Sequence, residues 1–259
     1  MSEPFGRNKA LAKKDGAADV INRVLQELVQ ACTKEGGVRH YFDVGVIGYG
    51  SAEGFAGPVL GGRLSGKTLV PLPELADNPL GIKRVMKKEY DGAGGVIEVP
   101  IEVPYRFEPV ANADTPMCKA LSIAKEVVEK WVKDHPNAFP PIVMNITDGE
   151  ATDGDPEPFA EELKRLSTSD GNVLLFNCHI SSTVAEPVKW PTGETHLVDP
   201  LALKLFKMSS VLPDPVVREA QEAGLPVEPG SRGFVFNADV IDLVQFLDIG
   251  TRVATKKLR

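Results

Sequence analysis

The chain has 259 residues, of which 42% are hydrophobic and 25% charged, with a formal charge of −7. This is ordinary globular composition, sufficient for one large domain or two small ones. The acidic balance argues against nucleic-acid binding, which needs a basic face, and no run of about 18 apolar residues is present to span a membrane.

Cys32, Cys118 and Cys178 form no Cys-x-x-Cys pair. That argues against a disulfide framework or a structural zinc site and fits a reducing compartment. Met1 to Lys14 is polar, without the apolar core of a signal peptide. The expectation is a cytoplasmic chain with no membrane partner.

In chain order, Val20, Ile21, Val24, Leu25, Leu28, Val29 and Cys32 recur at helical spacing and predict a helix over Asp19 to Cys32, stopped by Gly36-Gly37. Tyr41 to Tyr49 reads as a buried strand. Residues 50 to 110 are rich in Gly and Pro, with β-like runs near Leu69 and at Val96 to Val103. They read as an elaborated connection carrying a hairpin or an edge strand.

Thr115 to His135 predicts an amphipathic helix with Met117, Leu121, Ala124, Val128 and Trp131 on one stripe. Pro116 suits the first helical position, which makes Thr115 the expected N-cap. A strand over Pro141 to Thr147, a helix from about Glu157 to Leu166 and a strand over Asn172 to Ile180 follow. Short helices at Leu201 to Met208 and Pro215 to Ala223, a strand at Phe234 to Phe236 and a helix over Ala238 to Leu247 complete the pattern. Apolar strands separated by helices predict an α/β, Rossmann-like, doubly wound, mostly parallel sheet covered on both faces, in a single domain.

Two glycine-rich matches lack their context. Gly48-Tyr49-Gly50, with Gly54, follows a strand, but no helix opens after it to meet a pyrophosphate. Gly61 to Thr68 matches the P-loop pattern in full, yet LVPLPEL follows, with Pro71 and Pro73. A nucleotide- or phosphate-binding enzyme using residues 61–68 is therefore the rival reading. A Cys/His nucleophilic pair from Cys118 or Cys178-His179 is weaker, because cysteines at helix and strand positions are usually inert packing. Asp153-Gly-Asp155 lacks the later residues of a calcium loop.

The more informative pairing is Thr115, at a helix start, with Asp148, just past a buried strand in MNITDGEATDGD. Ligands of open parallel sheets bind outside the carboxyl ends of the strands. A hydroxyl and a carboxylate meeting there form a hard, oxygen-only set suited to Mg²⁺ or Mn²⁺. The plainer alternatives are a helix cap for Thr115 and a turn residue beside Gly149 for Asp148. Asp114, Gly149 and Glu150 stand beside the pair as weaker rim candidates.

The runs DVGVIGYGS, ADTPMCKAL and IVMNITDGEATDGD resemble a bacterial, intracellular von Willebrand factor type A domain. The resemblance is clear over residues 1–180, with 181–259 as an elaboration. It implies a metal-ion-dependent adhesion site in which Thr115 and Asp148 come from the second and third metal loops. One coordination position would be left for a carboxylate from a protein partner. That is binding rather than turnover, so no enzymatic activity is expected. Family members of this type often accompany kinases and phosphatases in stress systems, which the resemblance extends here only weakly.

The family's first metal loop, Asp-x-Ser-x-Ser at the end of a hydrophobic central strand, has no counterpart. Met1 stands where the residue after that loop would fall. The expectation is that the start was set at an internal Met or that the chain is a fragment. Without that strand the sheet should be unstable or borrow a strand, and two protein donors should hold Mg²⁺ poorly.

Overall fold

The computed structural model describes residues 4–5, 8–90, 95–109, 114–180, 186–197, 199–237 and 245. The helix expected over Ala238 to Leu247 lies outside these residues, Gln245 aside. The architecture is mixed α/β with a small mixed sheet.

The first helix, α1 (Lys13–Ala31), starts six residues before the expected Asp19. Its Ala17, Val20 and Val24 enter one core and its Ala18, Leu25, Leu28 and Val29 another, so two of its faces are buried. The chain reverses after it through Gly36 and Gly37, both at positive φ (89° and 114°), where a Cβ would be strained.

The strand expected over Tyr41 to Tyr49 is two short pieces, β1 (Asp43–Val44) and β2 (Ile47–Tyr49). It does not join the main sheet. Instead β2 pairs antiparallel with β3 (Ala56–Pro58), and β1 with β4 (Val70–Pro71). The connection holds two elements the sequence reading missed or left open. A helix, α2 (Leu72–Asp77), forms despite two prolines, because Pro71 precedes it and Pro73 lies in its first turn, where no intrahelical N–H is needed. A long antiparallel hairpin pairs β5 (Gly81–Tyr90) with β6 (Val96–Tyr105) over ten residues.

The amphipathic helix α3 (Met117–Asp134) leads to β7 (Ile142–Thr147), α4 (Glu157–Arg165) and β8 (Leu174–His179). Then come β9 (Val188–Lys189), α5 (Pro200–Met208), α6 (Asp214–Glu222) and β10 (Phe234–Phe236). The sheet order is β7-β8-β10-β9. The first three strands are parallel, and β9 is antiparallel at the edge. Side-chain alternation splits the core. Leu174, Phe176 and Cys178 pack with α1 and α6, whereas Leu175, Phe234 and Phe236 pack with α3, α4 and α5. Every residue of β8 is buried, as a strand covered on both faces requires. Among the described residues no helix is long and apolar enough to cross a membrane.

Candidate functional site

Three loops converge at the carboxyl end of β7. The first follows β2, the second enters α3, and the third leaves β7. Gly50 sits at positive φ (80°), and a Cβ there would lie 2.4 Å from the Asp114 carbonyl oxygen, so only glycine allows the first two loops to touch. The Gly54 N–H donates to both carboxylate oxygens of Asp114, at 3.2 and 2.9 Å, and Lys119 Nζ donates to the Gly54 carbonyl at 2.6 Å. Asp114 thus fastens one loop to the next.

Thr115 is not the helix cap. The cap position falls on Pro116, which supplies no side-chain hydrogen bond. The cap comes from the third loop: the Asp153 carboxylate accepts from the N–H groups of Cys118 (3.1 Å) and Lys119 (2.9 Å). An acid at a helix N-terminus satisfies orphan donors and meets the positive end of the dipole. Burial pulls the Asp153 pKa upward, but these donors outweigh it and hold the carboxyl below its ordinary range. The substitution of roles leaves the Thr115 hydroxyl outside the capping bonds.

The Thr115 backbone is clamped to the same loop. Its N–H donates to Thr152 Oγ1, and its carbonyl accepts the Thr152 N–H, both at 3.0 Å. A Cβ placed on Gly149 would lie 3.4 Å from Thr115 Oγ1, so this hydroxyl lies beside the corner that follows Asp148. Thr147 Oγ1 shapes that corner by donating to the Gly149 carbonyl at 3.0 Å. Glu150 is exposed beside it. Thr115, Asp148 and Gly149 therefore share one rim, Asp114 braces it, and Glu150 faces solvent.

Sequence reasoning missed Tyr49, Asn145 and Asn177. The Tyr49 hydroxyl hydrogen-bonds Asn145 Oδ1 at 2.8 Å and the Ile146 carbonyl at 3.0 Å. Asn145 Nδ2 donates to Asn177 Oδ1 at 2.9 Å, and Asn177 Nδ2 donates to Ser209 Oγ at 2.9 Å. This polar ladder runs from the rim loop through the buried sheet to the end of α5. Burial pushes the Tyr49 phenol up, with the Asp148 charge adding and a Thr147 hydrogen bond opposing. The signal was present: Asn145 and Asn177 interrupt two apolar strands and stand at matched register.

The other motifs acquire structural roles. Gly62–Leu64 is a 3-10 turn, Lys67 pairs with Glu74 of α2, and no helix opens directly after Thr68. Cys118 is buried, and its thiol is pushed up to about 11 by burial and then by Asp153, which disfavours a nucleophilic thiolate. Cys178 and His179 are buried within β8.

Among the described residues no three His, Cys, Asp or Glu side chains gather as a metal site. The candidate set is of another kind, one hydroxyl with one carboxylate. Compared with known proteins, the chain matches no family model, no curated protein and no solved structure.

Proposed function

We propose that the chain is a single cytoplasmic domain, residues 1–259, of doubly wound von Willebrand factor type A-like architecture. In this reading it is a binding module rather than an enzyme. It docks a protein partner at the rim formed by Thr115, Asp148 and Gly149, assisted by Mg²⁺ or Mn²⁺. The observation that carries the reading is the approach of the Thr115 hydroxyl to Gly149, the residue after Asp148, at the carboxyl end of a parallel strand. The helix cap supplied by Asp153 supports it, because Thr115 is released from the role that a threonine at a helix start would otherwise fill.

The donor chemistry fits a hard divalent ion. A threonine hydroxyl and a carboxylate are oxygen ligands, and Mg²⁺ commonly takes one or two carboxylates while keeping several waters. Two protein donors form an incomplete set, which leaves positions for water and for a carboxylate of the partner. The cation would supply a fixed positive charge to which that carboxylate binds. Asp114, Thr152 and Asp153 would hold the loops in place. The chain's three cysteines are buried thiols, which is compatible with a reducing compartment.

The test is thermal unfolding with and without millimolar Mg²⁺ or Mn²⁺. Two protein donors hold the ion weakly, so either cation should raise the Tm by only about 1–2 °C at these concentrations. Asp148→Ala should remove the shift and Thr115→Ala should reduce it. An unchanged Tm for the native chain, or a full shift in Asp148→Ala, would sink the reading.

A further inference from the structure

The hairpin of β5 (Gly81–Tyr90) and β6 (Val96–Tyr105) has two outer edges, and its sequence treats them differently. The register sets Ile82 opposite Pro104 and Met86 opposite Pro100. Proline has no N–H, so these must be pairs that exchange no ladder bonds. The bonds then run through the odd-numbered residues of both strands. The even-numbered residues turn their N–H and C=O groups outward. On the outer edge of β6 these include Pro100 and Pro104, so two donors are missing and that edge is closed to a further strand. On the outer edge of β5 they are Ile82, Arg84, Met86 and Lys88, and every donor is present. Among the described residues no strand pairs with this edge.

The two faces of the hairpin differ as well. One packs toward α1, where Lys83 Nζ reaches Asp19 at 3.3 Å. The other carries Ile82 and Met86, which are 62% and 57% exposed, and between them Arg84 lies 3.7 Å from Glu102. Single exposed apolar side chains are ordinary, but these two share one face beside an open edge. The charge is equally uneven. The six residues from Lys83 to Lys88 hold four cations and no acid, although the whole chain carries −7. The pairs with Asp19 and Glu102 are solvent-exposed and contribute little, so they yield readily to other carboxylates.

We propose that the outer edge of β5 pairs with an acidic, extended segment of a partner protein, which becomes the third strand of this sheet. Residues 82–88 offer about 20 Å of strand, enough for about six or seven residues of the partner. The backbone edge supplies affinity and the side chains supply the choice of partner. Apolar residues belong opposite Ile82, Val85 and Met86, and carboxylates opposite Lys83 and Arg84. A second copy of the chain is the wrong occupant on two counts. Pairing β5 with another β5 sets cations against cations. Pairing β5 with another chain's β6 meets the prolines. An anionic lipid surface answers the charge but offers no backbone groups to the edge. The proposal stands on the hairpin alone and involves neither the rim nor a metal.

The test uses the full chain in EDTA with the end-capped peptide Glu-Val-Val-Glu-Glu-Val-Glu, whose antiparallel register gives the pairing just described. One control replaces each glutamate with lysine. The other has proline for the central glutamate, which removes a donor that faces the edge. Amide hydrogen exchange at Ile82, Arg84 and Met86 should slow at least about tenfold with the acidic peptide and with neither control. Met86→Pro mirrors Pro100 across the ladder and removes an outward donor without breaking a ladder bond, so it should abolish the protection of Ile82 and Arg84. Arg84→Glu reverses an exposed charge and should weaken peptide affinity at least about fivefold, which keeps the test decisive if Met86→Pro does not fold. No protection, equal protection by either control, or unchanged affinity in Arg84→Glu would overturn the proposal. So would protection that rises with chain concentration without peptide, which assigns the edge to a second copy. Protection by phosphatidylserine vesicles and not by the peptide would overturn it too, and would assign the hairpin to a membrane surface.

Discussion

The two edges of β7 meet different surroundings. Toward β8 the strand is hydrogen-bonded in register from Ile142↔Leu174 to Thr147↔His179, and every residue of β8 is buried. Toward β2 the same strand borders a slot of about 1140 Å³, and Ile142, Met144 and Ile146 are only partly buried. Stability therefore concentrates on the β8 side, while the other edge is held by α1, α3 and the Tyr49 bridge. The largest test compares one residue from each side. Phe176 is fully buried and its ring covers Gly233, where a Cβ would lie 2.2 Å from it. Phe176→Ala should cost about 3–5 kcal/mol. Met144→Ala, beside the slot, should cost less than about 1.5 kcal/mol. Urea unfolding of the two variants decides it, and equal losses would mean that the slot is closed in solution.

The polar ladder joins the two regions, and breaking it in the middle sharpens the contrast. Asn177 has no exposure, and its amide is shared among Asn145, Ser209 and the Leu205 carbonyl. Asn177→Ala leaves the Asn145 and Ser209 groups without this partner inside the core. An abandoned buried polar group costs about 1–3 kcal/mol, less than Phe176→Ala and more than Met144→Ala. Tyr49→Phe removes the ladder's other end and should cost about 1–2 kcal/mol, because the buried Asn145 Oδ1 loses the phenol that donates to it. If Tyr49→Phe costs as much as Asn177→Ala, by urea midpoints, the rim is as tightly held as the core.

Much of the parallel sheet and of α3 was legible in the sequence. PIVMNIT and NVLLFNCHI are unbroken apolar runs, and the stripe from Met117 to Trp131 has unmistakable helical period. Local pattern decides such elements. The region from Tyr41 to Asp77 was less legible for physical reasons. Tyr41 to Tyr49 has the composition of a buried strand, but its actual neighbours are two short antiparallel pieces from a loop, and nothing local reports them. The helix at Leu72–Asp77 was hidden by prolines that fall where a helix tolerates them. Of the rim, Thr115 and Asp148 were visible as residue types, but the capping role was assigned to the wrong side chain. Pro116 suited the first helical position, which placed the cap on Thr115; the donor set is met instead by Asp153, thirty-five positions beyond Cys118. Sequence spacing cannot rank a local cap against a distant one.

The smallest expected effect comes from that cap and carries a pH signature. Asp153 lies in an exposed loop, so its two bonds to α3 are screened by solvent. Asp153→Ala should cost about 1 kcal/mol, the usual worth of an N-cap. Because the carboxyl is held below its ordinary value in the folded state, its contribution is complete above the unfolded pKa of about 4. It is lost as pH falls through the lowered folded value. Asp43, at the far end of α3, is lowered in the same direction: burial opposes, and the hydrogen bonds from Trp131 and His40 prevail. The native chain should therefore lose stability steeply on acidification below about pH 4, with one component from each end of α3. Asp153→Ala should flatten part of that slope and leave the part belonging to Asp43, and Asp43→Asn should do the converse. Urea midpoints between neutral pH and pH 3 separate the two. If Asp153→Ala leaves the acid slope of the native chain unchanged, the carboxylate is not what holds the rim end of the helix.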